Sequence, residues 1–449
     1  MKRLFGTDGI RAVAGTPPLD EPTVRRFGAA LADVLARAAG RAPRVVLGRD
    51  TRESGGWLRE AVVAGLASRG AEAVDAGVLS TPGLAHAAHT GPFDAGVMIS
   101  ASHNPFADNG LKAFGHDGTK LPDTVEEEIE ARILDDGIED PGPSSRPIPE
   151  DPGPRRRYVD FLEGAVFPRG RLAGLRLVLD CANGAASGIA PEVFRHHGAE
   201  IEAIGASPDG RNINLGCGSL HLDALSAEVR ARSFDLGIAF DGDADRALAV
   251  DRAGRVVDGD HILYLLARRM GRAGTLRSGT VVATVMSNLW LEHRLRDEGM
   301  RLVRAPVGDK YVLDRMVAED ATLGGEQSGH VIVRDRATTG DGILTGLLLL
   351  DGLLGESRPL EEILDGIVPY PQVLVNVRVR EKPDLLAHAV IGPAVREVEE
   401  AMRGTGRVLL RYSGTEPLAR VMVEGRDGSR VRACADRLAA LIGKEIGTP

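Results

Sequence analysis

One pattern of apolar runs and helical stretches recurs three times along the chain. The first copy contains RVVLGRD (Arg44 to Asp50), a loop, a helical stretch closed by Gly70, and the extended run AEAVDAGV. The second copy begins at LRLVLDCANGA and the third at TVVATVMSN. A strand, a polar loop, a helix closed by glycine and a second strand form a βαβ unit. Three such units predict three consecutive α/β domains with mixed, largely parallel sheets.

The stretch after Pro371 has a different pattern. QVLVNVRVR alternates, GRVLLRYSG and ARVMVEG continue as strands, and helices are expected around Ala387 to Met402 and from near Ser429. This order predicts a C-terminal α+β domain with antiparallel strands. The chain has 449 residues, which is too many for one ordinary core. The predicted domains are residues 1–153, 154–254, 255–368 and 369–449.

The net charge of -9 argues against a nucleic-acid-binding protein, which usually carries a basic surface. An anionic ligand must therefore be bound by local donors. Three widely spaced cysteines predict no disulfide framework. The apolar run ILTGLLLLDGLLG is broken by Asp351 and is too short to span a bilayer. These features predict a cytoplasmic protein with a small-molecule partner and no membrane or nucleic-acid partner.

The first of four polar loops is SASHNP, which follows the buried strand expected at DAGVMIS. Ser102 therefore lies just past the end of a strand, where open α/β sheets gather their ligands. It is a candidate nucleophile. A polar turn is the alternative, and for Ser102 taken alone it is the commoner case.

The second loop, FDGDADRA, contains Asp241, Asp243 and Asp245 at alternating positions. An extended loop would point all three carboxylates the same way. Without a cation they would repel each other, and a hard divalent cation relieves this repulsion. A calcium-binding EF-hand fails because Arg246 stands where that loop needs glycine. A solvated acidic turn is the remaining alternative to a metal site.

The third loop, GGEQSGHVIV, places Glu326, Gln327, Ser328 and His330 on a glycine-rich turn ahead of a strand. Carboxylate, amide and hydroxyl groups together suit a polyhydroxylated ligand. A hairpin with incidental polar residues is the alternative, and it is the simpler explanation for this loop alone.

The fourth loop, RYSGTEPLAR, combines guanidinium groups, hydroxyls and backbone N–H donors in one short segment: Arg411, Ser413, Gly414, Thr415 and Arg420. This composition suits a phosphate, and a surface turn is the alternative. A nucleophile, a metal triplet, a polyol site and a phosphate site together indicate phosphoryl transfer on a sugar phosphate.

The four loops resemble those of a known family. SASHNP, DGDADR, GGEQSGH and RYSGTEP occur in the order and spacing of the α-D-phosphohexomutases, and LFGTDGIRA and TTGDG fit as well. The resemblance spans nearly the whole chain and implies that the four domains surround a central cleft. Two small departures are Ala12 and Ala244, which stand where glycine is usual or common.

The resemblance implies that Ser102 is a phosphoserine whose phosphate completes a site for one Mg²⁺ per chain with Asp241, Asp243 and Asp245. A hexosamine or hexose 1,6-bisphosphate would be the intermediate and activator. Lys112 and His330 would move protons, with His103 a lesser candidate. The residues implied to steady phosphate charge are Arg11, Arg49 and Arg246. Those implied to bind substrate also include Glu326, Gln327, Ser328, Arg411, Ser413, Gly414, Thr415 and Arg420.

Within the family, LFGTDGIR and GGEQSGH are most similar to members that isomerise glucosamine phosphate for amino-sugar and cell-wall synthesis. Gln327 favours such a member over one that acts on a neutral hexose phosphate, which is the alternative. A phosphatase and a non-catalytic sensor are further alternatives. A homodimer is expected from the resemblance alone.

Overall fold

The computed structural model describes residues 4–6, 8–135, 137–143, 148–356, 358–413 and 416–448. It divides into two compact units. The first contains residues 1–284 and 305–363, and the second contains residues 285–304 and 364–449. The four predicted domain boundaries stay a prediction.

The strands in chain order are β1 (Ile10–Val13), β2 (Arg44–Arg49), β3 (Glu72–Val78), β4 (Ala95–Ile99), β5 (Asp108–Gly115), β6 (Arg176–Asp180), β7 (Glu200–Ile204), β8 (Leu236–Phe240), β9 (Ala247–Asp251), β10 (Val256–Val257), β11 (Thr280–Thr284), β12 (Arg301–Ala305), β13 (Leu323–Gly325), β14 (Val331–Val333), β15 (Gln372–Arg378), β16 (Gly406–Tyr412) and β17 (Leu418–Gly425).

The α-helices in chain order are α1 (Glu21–Ala39), α2 (Gly55–Ser68), α3 (Thr81–Thr90), α4 (Asp123–Leu134), α5 (Gly153–Ala165), α6 (Ala190–His196), α7 (Asp223–Ala231), α8 (Gly259–Ala273), α9 (Leu289–Asp297), α10 (Asp309–Ala318), α11 (Gly342–Leu354), α12 (Leu360–Ile363), α13 (Ile391–Ala401) and α14 (Gly428–Ile446). None of the helices in the described part of the chain has both the length and the hydropathy that a membrane crossing requires.

Two five-stranded mixed sheets organise most of the first unit. Their strand orders are β1-β5-β4-β2-β3 and β10-β9-β8-β6-β7. In each sheet the central strands are parallel: β2 pairs with β3 and β4, and β6 pairs with β7 and β8. The strands β4 and β8 are buried at every position, as expected for strands covered on both faces. Loops that follow these two strands therefore begin at the carboxyl edge of a parallel sheet, which is where ligands usually bind.

The three predicted strand–helix–strand copies are confirmed as β2–α2–β3, β6–α6–β7 and β11–α9–β12. In the third α/β region β11 pairs parallel with β13, and β13 pairs antiparallel with β14. Helix α11 is almost entirely apolar and buried, and the Asp341 side chain accepts a hydrogen bond from the Leu344 N–H at its start. The run that contains Asp351 is thus a core helix.

The predicted antiparallel C-terminal sheet is also confirmed. Its order is β15-β17-β16, and α13 and α14 pack against it over an apolar core. Helix α13 begins at Ile391, later than the predicted Ala387. The difference arises because the Asp384 carboxylate and the His388 imidazole accept hydrogen bonds from nearby backbone N–H groups and stabilise separate turns.

Candidate active site

The nucleophile loop leaves β4 and turns sharply at Ser102. This residue is 1% exposed and has a left-handed backbone conformation, with φ 52°. Its N–H donates to Ser100 Oγ over 2.9 Å, and the Ser100 hydroxyl donates to Asp50 Oδ2 over 2.6 Å. Ser102 is therefore held as the strained, buried tip of a polar turn, a conformation that is common at functional sites.

Arg52 and Asn214 hold the carbonyl side of the same loop. The fully buried Arg52 guanidinium pairs with Asp50 over 2.9 Å and donates to the carbonyls of Ser102 and Asn104 over 3.0 and 2.8 Å. The Asn214 amide, from the second α/β region, donates to the same two carbonyls over 2.9 and 3.1 Å. Neither residue was predicted from the sequence. A signal was present for Arg52, because the polar run Asp50–Arg52 directly follows β2, the parallel neighbour of β4.

The aspartate triplet follows β8 and converges as predicted. Asp241, Asp243 and Asp245 are buried, and one carboxylate oxygen of each lies within 4.8 Å of the others. The predicted extended loop is wrong: the segment is a turn, with Ala244 at φ 56°. Glycine adopts this left-handed conformation without strain, whereas Ala244 adopts it at a cost.

Gly242 brings the aspartate turn directly against the nucleophile loop. A Cβ at this position would lie 2.5 Å from the Ser102 carbonyl oxygen, which is closer than real Cβ contacts. The Ser102 hydroxyl in turn donates to Asp241 Oδ2 over 2.5 Å. The two predicted loops therefore form one site.

The three carboxyl groups have different electrostatic surroundings. Burial raises the pKa of Asp241 well above its ordinary value, and the charges of Asp245 and Asp243 add to this rise. Burial and the charge of Asp243 likewise raise the pKa of Asp245. For Asp243, burial is outweighed by Lys112, which donates over 2.9 Å, and by the Thr81 hydroxyl, which donates over 2.6 Å, so its pKa is lowered.

The buried oxygens fit a divalent cation. Among the described residues no donor forms a hydrogen bond to the buried atoms Asp243 Oδ1 and Asp245 Oδ1, and Arg246 Nε lies 3.8 Å from the latter. Unpaired buried carboxylate oxygens are costly unless a cation or a proton compensates them. An all-oxygen donor set of this kind is typical of Mg²⁺ or Ca²⁺ sites.

Lys112 links the triplet to a further charged cluster. Its 1% exposed side chain lies 2.9 Å from Asp243, 3.2 Å from Asp8 and 3.7 Å from Asp245. Burial lowers the pKa of Lys112, but these carboxylates outweigh burial and raise it. The cluster continues through Lys120, which contacts Asp8 and lies 2.5 Å from Asp309.

Arg11 also contacts Asp8, and its side chain is partly exposed. Asp8, Lys120 and Asp309 were not predicted as site residues because they are far apart in sequence, although Asp8 lies in the segment LFGTDGIRA that supports the family resemblance. Arg49 pairs with Glu150 over 2.7 Å, and no contact joins it to the aspartate triplet among the described residues.

The two candidate imidazoles have different surroundings. His103 Nδ1 lies 3.2 Å from Ser102 Oγ, and burial, together with Arg246 and Arg11, lowers the pKa of His103 to about 4. His330 is 3% exposed and its Nε2 lies 3.8 Å from Asp309 Oδ2. Neither ring nitrogen of His330 has a hydrogen-bond partner among the described residues. His330 forms a β-bridge with Arg246, which places both beside the aspartate turn.

The turn between β13 and β14 carries the predicted sugar-binding residues. Glu326 accepts hydrogen bonds from the Gly308 N–H over 3.1 Å and from the Ser328 hydroxyl over 3.3 Å. Gln327 donates to Asp258 over 3.3 Å. All three predicted residues, Glu326, Gln327 and Ser328, are half-buried, so their polar groups remain accessible at the surface of the turn.

The second unit carries the predicted phosphate-binding residues on the hairpin of β16 and β17. Arg411 and Arg420 are cross-strand partners. Arg420 donates to Ser413 Oγ over 3.4 Å, and burial and the charge of Arg420 lower the pKa of Arg411. Gly414 and Thr415 lie outside the described residues. Two adjacent guanidinium groups are suited to an anion that neutralises both.

Comparison with known proteins identifies the family. Four domain models of phosphoglucomutase/phosphomannomutase match the chain: α/β/α domain I at residues 2–138, domain II at 156–254, domain III at 258–370 and the C-terminal domain at 374–441. Together they account for most of the sequence.

Full-length relatives share the same name. The chain is 52% identical over 448 residues to a phosphoglucosamine mutase of Solibacter usitatus, covering 99% of both chains. It is 48% identical over 443 residues to a phosphoglucosamine mutase of Deinococcus deserti, covering 98% of both. A crystal structure of a phosphoglucomutase/phosphomannomutase family protein from Burkholderia thailandensis is similar with a TM-score of 0.81 and 26% identity, covering 100% of this chain and 99% of that one. The chain is therefore a mutase that belongs to the phosphohexomutase family.

Proposed function

We propose that this mutase interconverts glucosamine 6-phosphate and glucosamine 1-phosphate through a phosphate carried by Ser102, and so supplies amino-sugar precursors. The observation that carries the proposal is the 2.5 Å hydrogen bond from the Ser102 hydroxyl to Asp241 within the convergent aspartate triplet. The substrate is supported by the full-length similarity to phosphoglucosamine mutases.

Asp241, Asp243 and Asp245, with a phosphate on Ser102, would hold one Mg²⁺. When bound, the ion supplies neutralisation of charge on the transferring phosphoryl group. The protein contributes the fixed positions of the carboxylates: Thr81 and Lys112 both donate to Asp243 Oδ2, which leaves Oδ1 of that residue available.

The first transfer moves the phosphoryl group from Ser102 Oγ to O1 of glucosamine 6-phosphate. The P–Oγ bond breaks and the P–O1 bond forms; the O1 proton passes to one side chain of the site, and Ser102 Oγ gains a proton from another. In the second transfer the P–O6 bond of the resulting 1,6-bisphosphate breaks and a P–Oγ bond forms again; the Ser102 hydroxyl proton passes to a side chain, and O6 gains a proton. The net reaction is an isomerisation. A hexosamine or hexose 1,6-bisphosphate would also load Ser102 initially.

Lys112 and His330 are the proposed proton carriers, because both are buried beside the triplet. Lys112 contacts Asp243 directly, and His330 forms a β-bridge with Arg246, the residue that follows Asp245. His103 is the lesser candidate, at 3.2 Å from Ser102 Oγ. Arg246 and Arg11 would steady phosphate charge. The backbone of Arg246 forms a β-bridge with His330, whereas the side chain of Arg11 forms an ion pair with Asp8.

Substrate binding is assigned to two turns. Glu326 and Ser328 would bind ring hydroxyls, with Gln327 shaping this turn. The non-reacting phosphate would be bound by Arg411, Ser413, Gly414, Thr415 and Arg420. The same phosphate site would serve both orientations of the bisphosphate.

The proposal is tested by ³¹P NMR of the purified protein with Mg²⁺, a trace of hexose 1,6-bisphosphate and glucosamine 6-phosphate. Parallel samples contain glucose 6-phosphate or mannose 6-phosphate. Glucosamine 1-phosphate is expected to form well ahead of the other products. Preference for a neutral hexose would overturn the substrate, and release of inorganic phosphate would indicate a phosphatase.

The Ser102→Ala variant tests whether Ser102 carries the phosphate. It is expected to lose mutase turnover, because no other described hydroxyl contacts Asp241, and to keep the wild-type circular dichroism spectrum. Ser226→Ala, on helix α7, is the matched control and should retain full activity. Substantial turnover by Ser102→Ala would contradict the phosphoserine assignment.

A further inference from the structure

The second unit contains a basic cavity of about 280 Å³. Its walls are formed by side chains of helix α9, by the segment 366–370 and by Arg426, which follows β17. None of the residues proposed above to act on the substrate lines it.

The charges around this cavity are unbalanced. Arg294, Arg296 and Arg426 line it together with His293, and Asp297 is the only carboxylate among the lining residues. Arg296 lies 3.9 Å from Asp297, but neither Arg294 nor Arg426 has a carboxylate within ion-pair distance in the described part of the chain. This local excess of positive charge occurs in a protein with a net charge of -9. Clustered cations without counterions favour the binding of an anion.

Both unpaired guanidinium groups are held in place by neutral partners. Arg294 Nη2 donates to the Gly366 carbonyl over 2.9 Å. Arg426 Nε donates to the Tyr370 hydroxyl over 3.0 Å, and its guanidinium lies 5.6 Å from the centre of the Tyr370 ring. Each of these contacts uses one of the five N–H groups of an arginine, so donors remain for a ligand.

Tyr370 is itself fixed at the cavity wall. Its backbone N–H donates to Asn288 Oδ1 over 3.1 Å, and its carbonyl accepts from Asn288 Nδ2 over 2.9 Å. Its hydroxyl also lies 3.0 Å from His293 Nδ1. These contacts preorganise the Tyr370 wall of the cavity.

We propose that this cavity is a second anion site, which binds the phosphate group of a small phosphate ester. A single guanidinium group can bind two phosphate oxygens, and both Arg294 and Arg426 line the cavity with N–H groups to spare. The aromatic rings of Trp290 and Tyr370 supply apolar surface for the organic part of the ester. The site is separate from the proposed catalytic function, since it shares no residue with it.

Trp290 provides a direct reporter, because the chain has two tryptophans and Trp57→Phe leaves only the one at the cavity. Inorganic pyrophosphate, glucose 6-phosphate and ADP are titrated into this Trp57→Phe protein, and the tryptophan fluorescence is recorded. The same titrations are repeated with a double variant that carries both Trp57→Phe and Arg420→Gln, because the second substitution weakens the proposed catalytic phosphate site. A saturable fluorescence change is expected for pyrophosphate and for at least one of the two esters, both with and without Arg420→Gln. The ester that binds more tightly indicates whether the ligand is a sugar phosphate or a nucleotide.

Arg294→Gln and Arg426→Gln should each weaken binding about tenfold or more, since each removes a charged hydrogen-bond donor. Arg432→Gln, an exposed arginine of helix α14, is the matched control and should leave binding unchanged. Because Arg294 contacts Gly366, unchanged thermal melting is required of each variant, and Arg426→Gln alone suffices if Arg294→Gln does not fold. Loss of the signal with Arg420→Gln, no saturable change in the parent protein, or binding of pyrophosphate with neither ester would overturn the proposal.

Discussion

At the scale of single residues, the site depends on a few close contacts between segments that are distant in sequence. The residue types at Ser102 and at the three aspartates were predictable, because hydroxyl and carboxylate groups follow buried strands there. The surrounding contacts of Asn214 and Thr81 were not, since each residue lies in a different segment and looks like an ordinary polar residue, whereas the position of Arg52 just past β2 was a usable signal. Only the folded chain shows that they hold the reactive groups.

The Gly242→Ala variant tests the contact between the two loops. Its added methyl group would lie 2.5 Å from the Ser102 carbonyl and 2.9 Å from Asn214 Nδ2, so one loop must move. A displacement of this size is expected to lower kcat by about 100-fold. Gly164→Ala, on helix α5 with no heavy atom near the new methyl group, is the control. Wild-type kcat in Gly242→Ala would show that the loops tolerate separation.

Asp341 is expected to make stability depend on pH. Burial raises the pKa of this carboxyl to about 6, although Leu344 N–H and the Tyr158 hydroxyl donate to it. Because the folded state binds the proton more tightly, this contribution to stability is complete below about pH 4 and is lost as the pH rises through about 6. At neutral pH the loss amounts to about 3 kcal/mol at most.

The Asp341→Asn variant, measured by urea unfolding at several pH values, should lack this loss. Its stability relative to wild type should therefore rise between about pH 4 and 6 and then stay constant. Asp160→Asn, at an exposed position of helix α5, is the control and should show no such rise. A relative stability that does not change with pH would mean that Asp341 titrates normally.

At the scale of helices and strands, continuous apolar runs and glycine punctuation predicted the α/β elements well, because strands such as β4 and β8 must be apolar throughout to be buried on both faces. The late start of α13 was missed, since side-chain hydrogen bonds from Asp384 and His388 compete with the helix there. The aspartate segment shows a similar limit: its alternation predicted an extended loop, but a turn brings the carboxylates together.

The ion pairs of Lys120 join the segment between β5 and α4 to Asp8 and to the start of helix α10. Lys120 follows β5 and its side chain is 9% exposed, with Asp8 and Asp309 as partners. Lys120→Met would leave two half-buried carboxylates without this cation, which is expected to lower the free energy of unfolding by about 1.5–3 kcal/mol at neutral pH. The measurement is urea unfolding, and Lys444→Met, at an exposed site of α14, is the control.

The same variant should show a specific pH dependence. For Asp8 and Asp309, burial is outweighed by nearby cations, which include Lys120 in both cases, so both pKa values are lowered. Their contribution is present above the ordinary aspartate pKa and is lost as the pH falls below about 4. The difference between Lys120→Met and wild type should therefore shrink in acid. A constant difference would indicate lost packing instead of lost charge.

At the scale of the whole molecule, the order of three α/β regions and one α+β region was predictable from repeated patterns. The grouping into two compact units was not. Residues 285–304, which include α9, belong with the C-terminal residues 364–449 although they lie within the third predicted domain. Sequence patterns report local structure, whereas compact units are defined by contacts between distant segments.

A cation that binds only the folded chain should raise the stability of the whole first unit. Saturating Mg²⁺ is expected to raise the melting temperature. At a free Mg²⁺ concentration of 100 times its Kd, the free energy of unfolding should increase by about 2.7 kcal/mol. Because the net charge is -9, NaCl at equal ionic strength is the necessary control for general screening. Asp245→Asn should reduce the Mg²⁺-specific shift, and an equal shift in this variant would exclude the triplet as the binding site.

The burial of Ser102 also has a consequence for handling the protein. A phosphate attached to a side chain that is 1% exposed is shielded from bulk water and from added phosphatases. Under the proposed mechanism such a phosphate should survive dialysis and storage, so the phosphorylated fraction is expected to differ from one preparation to the next. Intact-protein mass spectrometry of each batch would measure that fraction, and specific activities are comparable only after the fraction carrying the extra mass has been matched.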